Sequence, residues 1–135
     1  MSHNKQTAEF LYLLCCYLKA NPGCLIAVSD FDKETGNKLP IGYYDDVYCY
    51  VRPEMVIPMF RAVAFPDYEA DMLQILRELF AADFIKVHWI LSGEVRYRPQ
   101  KRIGSTRKRY ITFYRRKLEP YMDKHFKKEA EDEND

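Results

Sequence analysis

Phe10, Leu11, Leu14, Tyr17 and Leu18 recur three and four positions apart, which predicts an amphipathic helix from about Thr7 to Ala20. Asn21-Pro22-Gly23 ends it, because proline cannot continue the helical hydrogen-bond ladder and glycine suits the exit turn. Cys24-Leu25-Ile26-Ala27-Val28 is a nearly continuous apolar run of strand length. The polar stretch Asp32 to Asn37, with Gly36 inside it, has turn chemistry. From Gly42 to Val51, the positions Val47, Cys49 and Val51 alternate with Tyr48 and Tyr50, as on a strand with one buried face. The two strands read as one long hairpin.

Arg52-Pro53-Glu54 carries the residues of a helix start, with proline near the first helical position and an acid beside the positive end of the helix. Met55, Met59, Phe60 and Val63 form its stripe, and Pro58 predicts that it is short or kinked. Phe65-Pro66-Asp67 is a break, after which Asp67 is placed to cap a helix over about Tyr68 to Ala82. Met72, Ile75, Leu76, Leu79 and Phe80 give that helix the clearest apolar stripe in the chain. Three strands are predicted next: Phe84 to Leu91, Glu94 to Arg98 after a turn at Ser92-Gly93, and Arg109 to Tyr114. Between the last two, Pro99 to Arg107 mixes Pro, Gly and Ser with charges and reads as a mobile loop. Strand parity places Trp89 in the core with Ile85, Val87 and Leu91, and turns His88 outward with Lys86. A last helix starts near Pro120 with Tyr121, Met122 and Phe126 on its apolar side, and residues 129–135 are too acidic to pack.

Together these elements predict one α+β domain over residues 1–128 followed by a disordered acidic tail. A chain of 135 residues with 47% apolar and 15% aromatic content can bury a real core. It has no apolar run long enough for a membrane span and no signal-peptide pattern, so a cytoplasmic protein is expected. Cys15, Cys16, Cys24 and Cys49 lie in apolar surroundings without C-x-x-C spacing and read as reduced core thiols. His3, His88 and His125 are too scattered for a structural zinc site.

Charge changes the picture more than composition does. From Arg96 to Lys117 there are ten Lys and Arg and no acid; the whole chain is only +1, so removing these ten leaves −9 on the rest. Polarisation of this kind acts on partners rather than on fold, and a polyanion is the natural partner. If Val95, Tyr97, Ile111 and Phe113 face the core, then Arg96, Arg98, Lys108, Tyr110, Thr112, Tyr114 and Arg116 share the outer sheet face. Cations there neutralise phosphate and tyrosines offer stacking surfaces, while Lys101, Arg102 and Arg107 in the loop extend the reach. This favours single-stranded or sequence-tolerant nucleic acid over base-specific readout. An acidic protein partner, or a solvated face with no ligand, would use the same charges.

Catalytic chemistry has thinner support. Asp30-Phe31-Asp32 and Asp45-Asp46 have the carboxylate pairing of a metal site, but both pairs sit where turn aspartates are common. Pro66-Asp67 with Glu94-Val95-Arg96 lacks the lysine and strand context of a nuclease. No phosphate-binding glycine loop, H-E-x-x-H or G-x-S-x-G occurs. Neither catalysis, metal nor cofactor is expected.

Over roughly residues 7–116 the order helix, strand or hairpin, helix, helix, strand, basic connection, strand resembles a winged-helix domain, here with one further helix. The segment from Ile41 to Glu54, followed by paired helices and a basic hairpin, is similar to C-terminal domains of phage and mobile-element primase-helicase proteins. The resemblance implies a nucleic-acid-binding accessory module in DNA replication or mobile-element processing. It departs from the family at the third helix, the usual groove reader, where Glu69, Asp71 and Glu78 outnumber Arg77. The resemblance then assigns binding to the wing.

Overall fold

The computed structural model describes residues 2–21, 23–31, 40–63 and 71–121. Its fold is α+β. Helix α1 (Ser2–Ala20) begins earlier than periodicity predicts, because the polar residues before Thr7 continue the helix without adding to its stripe. Phe10, Leu14 and Leu18 are completely buried. Each such side chain contributes about 1.5–3 kcal/mol relative to exposure. α1 packs on α3 (Met72–Ala81), whose Ile75, Leu76 and Leu79 are also buried. The Thr7 hydroxyl of α1 donates to Glu78, which also accepts from Gln74 Nε2 at 3.0 Å. Glu78 is therefore turned toward α1 rather than displayed on an outer helix face.

Asp71 caps α3 by accepting from the Gln74 N–H at 3.2 Å. The predicted cap Asp67 and the break at Phe65-Pro66 lie outside the described residues. α3 ends with Asp83 at φ 63°, while the Phe84 N–H bonds to the Leu79 carbonyl and that of Asp83 to Phe80. This is a left-handed helix stop at which glycine is the usual residue. Helix α2 (Pro53–Val63) runs eleven residues with Pro58 inside it. The carbonyl that Pro58 leaves without a helical partner is that of Glu54, in the first turn. Val56 and Phe60 reach the core, where the Phe60 ring meets Phe10 edge-on at 5.7 Å.

The main sheet has five strands in the order β1-β2-β3-β9-β4: β1 (Leu25–Ala27), β2 (Gly42–Tyr44), β3 (Tyr48–Val51), β4 (Ile85–Lys86) and β9 (Ile111–Tyr114). The long hairpin expected from the first two apolar stretches does not form. β1 runs parallel to β2, with Leu25 opposite Gly42, and the hairpin is instead the tight β2–β3 pair. The connection from β1 to β2 is long enough to bring the chain back in the same direction, as a parallel pair requires. The β2–β3 turn is held by Asp45, whose Oδ1 accepts from the N–H groups of Val47 at 2.9 Å and Tyr48 at 2.8 Å. Gly42 is required there, since a Cβ would sit 2.0 Å from the Tyr50 carbonyl oxygen.

The register assigns each face. Tyr44, Cys49, Val51, Ile85, Ile111 and Phe113 point to the helices and form the main core. Ile26, Tyr43, Tyr50, Tyr110 and Ile103 form a second, smaller core on the opposite face, with Tyr48 packed against it. The expectation of one buried and one open face is thus overturned for β3 and β9. Tyr110 and Thr112 are each only 3% exposed.

The cover comes from the stretch predicted to be a mobile loop. It is a hairpin, β7 (Gln100–Ile103) and β8 (Thr106–Arg109), and Ile103 seals the tyrosines. Its two-residue turn is Gly104-Ser105, with Gly104 at φ +64°, the first central position of a hairpin turn that glycine suits. A second hairpin, β5 (His88–Trp89) and β6 (Val95–Arg96), interrupts the predicted strand from Phe84 to Leu91. Val87 separates β4 from β5, and beyond it the chain leaves the main sheet.

Residues 115–118 form a short helix, α4 (Arg115–Leu118), so Arg116 is not on a strand. A 3-10 turn over Glu119–Tyr121 follows; the predicted helix beyond it and the acidic tail lie outside the described residues. All four cysteines are free thiols. Cys15 and Cys49 are buried as expected, and burial pushes the Cys15 thiol up to about 12, whereas Cys16 is exposed.

Candidate nucleic-acid interface

Between the β5–β6 and β7–β8 hairpins lies a groove of about 680 Å³. Both hairpins are short and project from the main sheet. A strand with no apolar alternation, such as Gln100-Lys-Arg-Ile or Thr106-Arg-Lys-Arg, has little to bury and keeps its charges in solvent. Six cations line the groove (Lys86, Arg96, Lys101, Arg102, Arg107 and Arg109), with His88 and Trp89 beside them and, among the described residues, no carboxylate. Among the described residues none of the six is ion-paired. Two sit over rings, Lys101 Nζ at 5.2 Å from the Tyr50 centroid and Lys86 Nζ at 5.1 Å from Tyr48. Such contacts orient an ammonium without neutralising it. Like charges gathered within a Debye length of about 8 Å reinforce one another's field toward an anion.

Four of the nine residues expected to bind, Arg96, Lys101, Arg102 and Arg107, therefore share one groove. Arg98 faces a second groove of about 470 Å³ between β6 and α3, which Arg96 and Arg109 also border. Its floor includes Met72, Leu73 and Leu76. Lys108 is exposed on β8, directly across from Lys101. Arg116 is exposed on α4, with its guanidinium 5.8 Å from the half-buried Tyr114 ring. The interleaved outer face drawn from strand parity does not exist as an open surface. Tyr110 is buried under the β7–β8 hairpin and is not a stacking platform.

The tyrosines instead pack on each other. Tyr114, Tyr48, Tyr50, Tyr110 and Tyr43 form a continuous row with successive centroids at 5.5, 5.9, 6.1 and 6.4 Å. Burial, then the hydrogen bond to Asp45, pushes the Tyr50 hydroxyl well above the ordinary tyrosine range, so it stays a neutral donor. Burial alone would raise Asp45. The hydrogen bonds from Tyr48, Tyr50 and Val47 and the charge of Lys101 outweigh it and hold the carboxyl below its ordinary value. Asp45 is thus occupied in fastening the β2–β3 turn. Arg52, only 9% exposed, donates to the Tyr43 hydroxyl at 3.2 Å at the far end of the row.

Lys86, His88, Trp89 and Arg109 complete the groove without having been singled out by sequence as binding residues. Trp89 is the largest departure: parity assigns it to the core, yet it is 59% exposed. Val87 still packs on the main core and the Trp89 ring still meets Phe80 of α3, but β5 has left the main sheet and most of the ring stands in solvent. A tryptophan three residues before a Ser-Gly turn is the sequence signal that could have suggested an exposed ring.

Asp32 and the Pro66-Asp67 pair lie outside the described residues. Among the described residues no three His, Cys, Asp or Glu side chains gather as metal ligands. No helix among them is long and apolar enough to cross a membrane. Comparison with protein-family models, curated proteins and solved structures gave no match for this chain.

Proposed function

We propose that this protein is a winged-helix-like, non-catalytic accessory module that binds nucleic acid in the groove between its two wing hairpins. The observation that carries this reading is the groove itself, lined by six cations, an exposed indole and, among the described residues, no acid. Phosphate is the abundant ligand for such a lining, because its charge repeats at a regular spacing along a flexible strand. The winged-helix reading draws support from the connectivity. α1 packs on α3, β4 and β9 are antiparallel neighbours, and both hairpins, of which β7–β8 is strongly basic, lie in the connection between them. The exposed part of α3 offers Arg77 and Leu73 rather than a row of donors, which again favours the wing as the binding element.

A salt titration with single-stranded and duplex oligonucleotides tests the reading. Each phosphate neutralised should contribute a log-log slope near −0.7 on single strands. Replacing Arg96, Arg102 and Arg107 together by Gln should flatten the slope by about 2 if each meets one phosphate. Replacing Lys108 and Arg116, which lie outside the groove, should change it less. No measurable affinity at low salt would defeat the proposal.

A second reading has its own observation. The groove between β6 and α3 combines the apolar Met72, Leu73 and Leu76 with Arg96, Arg98 and Arg109 against the one acid Glu94, which suits an acidic, partly apolar protein segment. Leu73→Glu with Arg98→Glu would abolish such docking while leaving the oligonucleotide slope largely intact.

A further inference from the structure

We propose that the groove takes single-stranded rather than duplex nucleic acid, with one unpaired base stacked on the indole of Trp89. This rests on the nucleic-acid reading above and adds to it a ligand form and a base-contacting residue.

Trp89 is exposed on a two-residue strand that has left the main sheet. A tryptophan carries the largest apolar surface of any side chain, so leaving more than half of it in water forgoes burial that a partner can supply. The ring is braced at its inner side. Phe80 of α3 meets it edge-on at 6.1 Å and 65°, and Phe80 itself abuts Tyr97 at 6.2 Å. Trp89 is among the residues that line the groove; across the hairpin it pairs with Val95, while His88 and Arg96 pair on the other face of β5–β6. A held aromatic plane beside a row of cations is the pairing that single-strand sites use: backbone charge is met along the groove, and a base is met on its face. In a duplex the base faces are already stacked on one another, and only edges and phosphates remain for contact. The indole would then contribute nothing. Leu91, fully exposed at the turn of the same hairpin, extends the apolar surface beyond the ring.

Trp89 is the only tryptophan in the chain, so its fluorescence reports this position alone. The full chain is titrated with a short oligothymidylate, an abasic strand of equal length, a duplex and polyglutamate. Oligothymidylate should quench the emission and bind more tightly than the abasic strand and the duplex. Trp89→Ala should weaken oligothymidylate about 5- to 150-fold, the range expected for one stacked base, and leave the abasic strand unchanged. Trp89→Phe should keep most of the affinity because it keeps a ring face. The comparison of the two strands on the wild-type chain does not depend on either variant folding. Equal binding of thymidylate and abasic strands, unaffected by Trp89→Ala, would overturn the stacking proposal and leave the electrostatic groove in place. Absence of binding to every nucleic acid, or quenching by polyglutamate alone, would overturn the stacking proposal together with the reading beneath it.

Discussion

The outer face of the sheet and the groove beside it are made from the same materials, aromatic rings and cations, arranged in opposite ways. On the sheet face five tyrosines pack into a row, a hairpin closes over them, and Lys86, Lys101 and Arg52 sit against the rings. In the groove the cations line an open cleft and the single large ring stands mostly in water. One arrangement spends its aromatic surface on folding; the other leaves it available to a ligand. Residue type and strand parity do not separate the two, because the β7–β8 hairpin that covers one and walls the other is distant in sequence from β2 and β3.

The contrast can be broken most directly at Tyr110. Tyr110→Ala should cost about 3–5 kcal/mol in denaturant unfolding, the range for emptying a buried aromatic site. Arg102→Gln and Arg107→Gln should stay within about 0.5 kcal/mol of the parent, as exposed substitutions do. Comparable losses at both places would show that the groove is part of the folding core.

Asp45→Asn should cost about 1–3 kcal/mol near neutral pH, because it disturbs hydrogen bonds from two backbone N–H groups and the Tyr50 hydroxyl. The pH dependence has a defined sign. The folded carboxyl titrates below its ordinary value, so its stabilisation is complete above that value and is lost as pH falls through the folded one. The deficit of the Asn variant should shrink toward acid, which unfolding curves at several pH values would reveal.

Gly104→Ala tests the cover itself. The added methyl would meet the Phe31 ring at 2.2 Å at a left-handed φ, and a loss of about 1–2 kcal/mol in thermal or chemical unfolding is expected from the backbone alone. Loosening of the hairpin should appear as faster hydrogen exchange at Tyr110, Ile111 and Thr112. One change should be a gain: Asp83→Gly at the left-handed helix stop should add about 0.5–1 kcal/mol without touching either region.

Helices α1, α2 and α3 were legible in the sequence because one side of each is apolar at helical spacing, and Phe10, Leu14, Ile75 and Leu79 occupy the places that spacing assigns. The sheet was legible only in part. Cys49, Val51, Ile111 and Phe113 face the helices as alternation requires, but tyrosine has both an apolar ring and a polar tip, so alternation with it does not reveal whether the second face is covered. Direction was hidden as well: nothing in Leu25 to Ala27 says whether β2 returns parallel or antiparallel. The Pro99 to Arg107 stretch was misread because Gly104-Ser105, a two-residue hairpin signal, is flanked by charges instead of alternating apolar residues. The groove was legible as a charge excess and not as a place. Which cations meet depends on Arg102 facing Arg107 across one hairpin while Arg96 approaches from another.

That cross-strand register has a consequence for the β7–β8 hairpin. Lys101 lies opposite Lys108 and Arg102 opposite Arg107, so two successive rungs of the β7–β8 ladder join like charges, which oppose pairing. On the proposed function ionic strength pulls in two directions: dissolved salt relieves the repulsion between the two strands while it would weaken any hold on a polyanion. A strand of phosphates bound as proposed would act as a counterion clamp, and the hairpin should then be firmest with that strand in place.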